Sequence, residues 1–376
     1  MIAPAVPGGK KYLSNILSVV DRITGKAYNF FMEQSCIYSL ATALPDRVVT
    51  NDDMARIVET SDEWIYSHTG IRERRHVGPD QAASDLGVEA GERALEIART
   101  NGGIHRESID LVVCATSTSD YPNFPATACI IQDKLGLENA GAFDLLAGCT
   151  GFVYGLETAR AYVEAELAQN VLLVGTEVLS KLSNMQDRNT CVLFGDGAGA
   201  VVVGRTDGSE GTGTSDDSLA GGRPRVIKSW LRSRGSGAEA LLRRAGGTRN
   251  PFVSGETDPA HLTIEMNGRD VYMFAVDAIV QTIRRLLELT GMELSQISRI
   301  VPHQANVRII EAAAKRLRVE PDLFFTNIDK YANTSAASIP LALYDLVNEG
   351  SVAPGDTILT VGFGAGLTYG GNIIRW

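Results

Sequence analysis

The sequence predicts an α/β fold assembled from two duplicated halves. Two observations carry this. From Cys36 onward, short runs rich in Val, Ile and Leu alternate with longer stretches of helical periodicity, the pattern of parallel strands joined by crossover helices. The order of these elements then recurs at nearly the same spacing.

In the first half, a strand at Leu111–Ala115 leads through a helix at Ala126–Lys134 to a strand at Ala142–Leu146. A turn at Cys149, a helix at Phe152–Leu167 and strands at Val171–Gly175 and Ala200–Val203 follow, and a helix at Ala83–Thr100 precedes the set. In the second half, a helix at Val271–Leu289 and a strand at Ile300–Val301 lead to His303 and a helix at Val307–Leu317. Then come a strand at Phe324–Asn327, a turn at Asn333, a helix at Ala336–Val347 and a strand at Ile358–Val361. Cys149 and Asn333 therefore occupy matching strand-to-helix turns, and a duplicated unit brings both turns to one interface.

The parts outside the repeat set the boundaries. Residues 1–34 carry Leu13, Ile16, Leu17, Val20 and Ile23 at helical spacing and read as an N-terminal helical extension. Such a stripe most often docks on the body, or the segment is a poorly ordered tail; a partner-binding or membrane-surface helix is the other reading. Residues 35–205 form the first half. Residues 206–260 read as an irregular insertion and connection, opened by the Gly/Ser/Asp-rich stretch 205–222, and 261–376 form the second half.

Composition narrows the function. The 376 residues carry 35 Lys+Arg against 45 Asp+Glu, a formal charge of -10, which argues against a general nucleic-acid binder. No apolar run reaches the roughly 20 residues of a membrane-spanning helix. The five cysteines form no CxxC pair and no two histidines stand at HxxxH spacing, so neither structural zinc nor a disulfide framework is expected, and a reducing cytoplasm is the simplest compartment.

Cys149 stands in Gly148-Cys149-Thr150-Gly151, after a strand and before a helix. Small neighbours allow a tight turn and close substrate approach, and a helix N-terminus is expected to lower the thiol pKa. An inert packed cysteine is the usual alternative; the glycine flanks favour a nucleophile. His303, at a strand's carboxyl end, reads equally as an active-site or a structural histidine. Asn333 before a helix also matches an ordinary N-cap. Residues 195–200, Gly-Asp-Gly-Ala-Gly-Ala, lead into a strand rather than a helix, which excludes a phosphate loop and predicts a tight turn between strands. The backbone of Phe363-Gly364-Ala365-Gly366 could supply oxyanion donors near Cys149.

Several motifs occur together and in order: Thr60–Ile65 (TSDEWI), Thr69–Arg74 (TGIRER), Gly148-Cys149, Asp187-Arg188, Phe194–Ala200 (FGDGAGA), His303–Asn306 (HQAN) and Asn333–Ser338 (NTSAAS). With them the chain, from about Cys36 to Trp376, resembles the beta-ketoacyl-ACP synthase III family of thiolase-like condensing enzymes. The resemblance implies a thiolase-like, layered αβαβα core and a Cys149–His303–Asn333 triad. Cys149 would carry an acyl primer as a thioester. His303 and Asn333 would stabilise the enolate left when a malonyl thioester loses CO2. The N–H groups of Cys149 and Ala365 would form a second oxyanion hole, with Phe363 shaping the site. Trp64 and Arg188 match the residues that sandwich the CoA adenine; Phe194 and Phe124 would line the substrate path, with Phe124 reaching a partner's acyl pocket and limiting primers to short chains. Gln304, Arg308 and Lys315 would dock the acyl carrier protein. The resemblance thus implies a homodimeric acyltransferase that condenses a short acyl-CoA with malonyl-ACP to 3-oxoacyl-ACP, without cofactor or metal, as in fatty acid initiation. His68, Arg269 and Met273 depart from residues common in the family along the CoA groove and carrier face, which leaves a specialised-metabolism primer or acceptor as the alternative.

Overall fold

The computed structural model describes residues 35–206 and 222–376; the helical extension expected over 1–34 and most of the stretch 205–222 lie outside them. Nine strands form two sheets. The first half supplies β1 (Ser35–Ala43), β2 (Leu111–Ala115), β3 (Gly141–Leu145), β4 (Asn170–Val178) and β5 (Asp196–Arg205). The second half supplies β6 (Arg225–Ser233), β7 (Arg299–Pro302), β8 (Thr357–Gly364) and β9 (Thr368–Arg375). Six main helices accompany them: α1 (Ala83–Gly102), α2 (Thr127–Lys134), α3 (Gly151–Glu164), α4 (Gly268–Thr290), α5 (Val307–Leu317) and α6 (Ser338–Asn348).

The sheets repeat one topology. The first runs β1-β5-β4-β2-β3, with β2 parallel to β3 and β4, and β5 antiparallel to β4 and β1. The second runs β6-β9-β8-β7, with β7 parallel to β8, and β9 antiparallel to β8 and β6. The fifth position of the second sheet, where the sequence predicts a strand at Phe324–Asn327, holds only a single parallel bridge between Ile300 and Phe324. The cause is Gln304. Its buried side chain donates to the Phe325 carbonyl (3.2 Å) and accepts from the Asn327 N–H (3.1 Å), taking up backbone groups that a ladder would pair.

Burial explains the layers. Strands β4 and β5 are buried along nearly their whole length, as strands covered on both faces are. Helix α1 lays Leu86, Ala90, Ala94 and Ala98 on the outer face of the first sheet and ends at Gly103, whose φ of 66° suits glycine. Helices α4 and α5 cover the outer face of the second sheet. Between the sheets lie α3 and α6, each packed on strands of both halves. One hydrophobic cluster joins Phe152, Val153 and Leu156 of α3, Ile339 and Leu343 of α6, Val113 and Val201 of the first sheet, and Ile358 and Ile374 of the second. The result is an αβαβα sandwich.

Two further differences from the sequence reading concern edges and turns. Strand β6 falls within 206–260, read from sequence as irregular, because Arg225, Lys228 and Arg232 interrupt its apolar pattern and half of it is exposed at the sheet edge. Strand β9 carries Gly370 and Gly371 mid-strand, which weakens any strand signal; a Cβ at Gly371 would stand 2.3 Å from the Thr360 carbonyl oxygen. Gly195 does not turn between strands. It follows the short helix Arg188–Cys191, and Phe194 forms a parallel bridge to Asn333 before β5 begins. No helix among the described residues is long and apolar enough to cross a membrane.

Candidate active site

The site forms where the two matching turns meet. After β3, residues Gly148–Thr150 make a single 3-10 turn and Gly151 starts α3. In the other half, residues Ser335–Ala337 make the equivalent 3-10 turn before α6. The turns touch through small residues: a Cβ on Gly151 would lie 3.2 Å from that of Ala336. The β8–β9 connection closes over the cysteine, since a Cβ on Gly364 would lie 2.8 Å from the Cys149 Cβ and 3.1 Å from Sγ.

His303 is held by its own half, Asn333 by both. His303 extends the β7 ladder, its N–H donating to Val361 (2.7 Å), and its ring is buried against Phe363, edge-on at 5.1 Å. The Ser338 hydroxyl lies 2.6 Å from His303 Nδ1. With Ser338 donating, Nε2 carries the ring proton and faces the cavity as a donor. Burial drives the His303 pKa down to about 3, so the ring is neutral. Asn333 is locked between Leu193 and Gly195 by two backbone bonds (2.9 and 3.0 Å). Its Oδ1 accepts from the Ser335 N–H (2.9 Å), which fixes the amide and leaves its NH2 as a donor.

The thiol contradicts its sequence expectation. Burial pushes the Cys149 pKa up to about 12, and the carboxylate of Glu177 adds to the rise. The Ser335 hydroxyl and the N–H groups of Cys149 and Ala365 favour the thiolate and pull the other way without prevailing. A helix start is a weaker influence than desolvation here, so the resting cysteine is a thiol.

Two cavities meet at this point. One, of about 440 Å³, is chiefly apolar; Leu146, Leu179, Leu182 and Leu242 line it with Cys149. The other, of about 390 Å³, runs from Cys149, His303, Asn333 and Phe363 out to Trp64 and His68. Cys149, Phe194 and Leu241 border both.

The outer residues are placed more variously. Trp64 stands on the helix Asp62–Thr69, capped by Ser61 (3.1 Å), with His68 stacked on it at 4.5 Å. Arg188 lies 4.9 Å from the Trp64 ring. A base between them needs two contacts of about 3.5 Å, or about 7 Å, so Arg188 must swing out to admit one. Arg308 donates twice to the Ser67 carbonyl (3.0 and 2.7 Å), and Asn306 donates to that of His68 (3.0 Å), fixing the tryptophan helix. Lys315 is exposed on α5. Gln304 is a correction: its side chain is buried and spent on Pro302, Phe325 and Asn327, which leaves nothing for a carrier protein. Phe124 is 81% exposed and borders neither cavity of its own chain.

Two residues of weight here have no role in the sequence reading. Arg74, the last residue of the TGIRER motif, is buried and donates to Val49, Asn51 and Val192, bracing the segment that carries Phe194. Glu177 is a fully buried carboxylate beside the active-site turns. Its signal in the sequence is an acidic residue closing the apolar run Val171–Val174.

Residues 287–376 match the family profile of the 3-oxoacyl-[acyl-carrier-protein (ACP)] synthase III C terminal, and residues 143–218 match 3-oxoacyl-[acyl-carrier-protein (ACP)] synthase III. A beta-ketoacyl-[acyl-carrier-protein] synthase III of Caldanaerobacter subterraneus is 47% identical over 341 residues, covering 90% of this chain and 97% of its own. The crystal structure of 3-oxoacyl-[acyl-carrier-protein] synthase III from Aquifex aeolicus superposes with a TM-score of 0.78 at 38% identity, over 91% of this chain and 100% of that one. The priming beta-ketosynthase of the R1128 polyketide pathway also gives 0.78, at 34% identity, over 91% and 96%.

Proposed function

This chain belongs to the 3-oxoacyl-[acyl-carrier-protein] synthase III family, and from that membership we propose that it joins an acyl primer, held on Cys149, to a malonyl thioester of acyl carrier protein with loss of CO2. The observation that carries the reading is that Cys149 stands at the meeting of an apolar cavity and a cavity lined by His303 and Asn333. The first receives the acyl chain. The second admits thioester arms past Trp64, first the primer's and then the malonyl carrier's.

The chemistry follows from the protonation states. Decarboxylation leaves an enolate whose oxygen needs donors rather than a base. His303 through Nε2 and Asn333 through its amide are two neutral donors in a closed site, where they act strongly on developing charge. A protonated imidazole would pair with the malonyl carboxylate and hold it back, so a ring kept neutral by burial suits the step. The enolate carbon attacks the acyl-cysteine carbonyl, the tetrahedral oxyanion is held by the N–H groups of Cys149 and Ala365, and the sulfur leaves as the 3-oxoacyl product forms.

Primer and assembly belong to the same reading. The large apolar side chains of Tyr121, Phe124 and Leu146 are exposed, with Leu146 on the wall of the acyl cavity. A second copy whose Phe124 enters this cavity covers them and shortens the primer that fits, in a cytoplasmic homodimer. Lys315, with the rest of the exposed face of α5, receives the acidic carrier. A primer of specialised metabolism is the second reading, favoured by His68 stacked where the nucleotide would enter.

Intact-mass measurement after incubation with acyl-CoAs and acyl carrier protein thioesters tests all of this. Wild type is expected to gain one short acyl group and Cys149→Ser none. Loading preserved in Cys149→Ser refutes the mechanism, a monomer by light scattering refutes the dimer, and loading only from carrier thioesters selects the second reading.

A further inference from the structure

Burial leaves the active-site thiol protonated and leaves His303 too weak a base to collect its proton. Yet a thioester forms only if that proton goes somewhere. Ser335 lines the acyl cavity with Cys149 and acts on its sulfur, and its hydroxyl proton is donated to Glu177 Oε1 at 2.9 Å, which leaves Oγ as the acceptor for the thiol. Ser335 is held for this with φ at 47°, a left-handed conformation uncommon for serine, by the Asn333 Oδ1 bond to its N–H.

We infer that Glu177 receives the Cys149 thiol proton through the Ser335 hydroxyl when the cysteine is acylated, and returns it when the acyl group departs. In the first step the S–H proton passes to Ser335 Oγ while the Ser335 proton passes to Glu177, the sulfur bonds the primer carbonyl, and the CoA thiolate leaves to take a proton from water. In the second, the enolate displaces the sulfur, and the Glu177 proton returns through Ser335 to the cysteine. Protons and electron pairs balance with no further reactant. The reading of Cys149 as the acylated nucleophile underlies this.

The surroundings of Glu177 suit a carboxylate that changes charge. Its partners are all neutral: the Thr118 hydroxyl (2.7 Å), the Ser117 N–H (3.1 Å), Ser335, the Ala336 N–H (3.4 Å) and the Thr116 hydroxyl (3.5 Å). Among the described residues no cation bonds it, and burial against these donors leaves its pKa raised to about 7. The titratable groups that feel its charge are Cys149 and, on β2, the buried Cys114 thiol, itself pushed well up by burial with Asp144 and Asp120 beyond it.

A bystander carboxylate makes the opposite prediction. An unused negative charge beside the thiol only suppresses thiolate, so Glu177→Gln would then speed the reaction of Cys149. The relay requires that it slow. The test is the rate of Cys149 alkylation by iodoacetamide, followed by mass from pH 5.5 to 9, together with single-turnover loading from acetyl-CoA. Expected for Glu177→Gln are slower alkylation at pH 7, loss of the rise in rate through neutrality, and loading reduced roughly 10²-fold. Faster or unchanged alkylation overturns the relay. If the Gln variant does not fold, Ser335→Ala decides: the rise through neutrality must vanish, and its persistence overturns the relay. Alkylation needs no acyl donor, so a wild type that loads nothing defeats the condensing-enzyme reading while the relay is still judged.

Discussion

Gly364→Ala measures how closely the second half is fitted over the nucleophile. The added methyl would stand 2.8 Å from both the Cys149 Cβ and its backbone N, and 3.1 Å from Sγ. Carbon does not sit within 3.0 Å of such atoms, so something must move. Two of the three obstacles are fixed to the backbone of the 3-10 turn, which is buried between α3 and the second sheet and cannot retreat without pulling on both. Overpacking of this kind costs about 1–3 kcal/mol of stability. The catalytic cost is larger, because a shift of the sulfur by even a fraction of an ångström moves it off the Ala365 N–H and the Ser335 hydroxyl; a 1 Å misplacement is worth about 10²-fold. The assay is single-turnover loading of Cys149 from acetyl-CoA by intact mass, with a thermal melt alongside. Gly268→Ala is the control: it borders the same cavity, but its Cβ meets nothing within 4 Å. The expected result is loading slowed about 10²-fold in Gly364→Ala and near wild type in Gly268→Ala. Wild-type loading by a folded Gly364→Ala protein refutes the close-fit account.

Two further outcomes follow from the donors. Asn333→Asp keeps the oxygen that accepts from Ser335 but removes the amide donor, so Cys149 should still load while CO2 release from malonyl-ACP falls about 10²–10³-fold; equal loss of loading and release counts against the assigned role. His303 should also set part of the acid stability. Its pKa is about 3 folded against 6.5 unfolded, so the unfolded chain binds the extra proton between those values and the contribution, complete above 6.5, drains as pH falls. Glu177 runs the other way, about 7 folded against 4.5 unfolded, losing its contribution as pH rises from 4.5 to 7, so the two oppose each other between 4.5 and 6.5. Removing one exposes the imbalance: from pH 7 to 4.5 the wild type should lose roughly 3 kcal/mol more than His303→Gln in urea unfolding. Parallel pH curves for the two proteins refute it.

The duplicated order of elements was legible in the sequence because it rests on local signals, β-branched runs and helical stripes, which also put Cys149 and Asn333 at equivalent turns; the grouping of Cys149, His303 and Asn333 as a triad came from the resemblance of their motifs to a family, since local signals left His303 and Asn333 open. What escaped depends on side chains reaching across chain segments. Gln304 lies in a motif with His303, and nothing in the sequence shows that its amide replaces strand pairing at Phe325 and Asn327. The pKa of Cys149 follows from burial beneath Gly364 and Ala365, more than 200 residues away in the chain, whereas its helix-start position is local and points the wrong way. Glu177 and Ser335 likewise meet only in three dimensions.

The middle layer of the sandwich bears on how the protein unfolds. Helix α3 belongs to the first half yet rests on β8 and β9 of the second, and α6 of the second rests on β1 and β5 of the first. Neither half can bury its central helix without the other, as an element apolar on opposite sides requires two covers. Melting should therefore be one cooperative event and not two, and an isolated half should expose a helix-sized apolar face and aggregate. The coupling also constrains variation: a volume change in Leu156 or Ile339 is transmitted to the turns of Cys149 and Ser335 together, so the shared core and the chemistry drift as one unit.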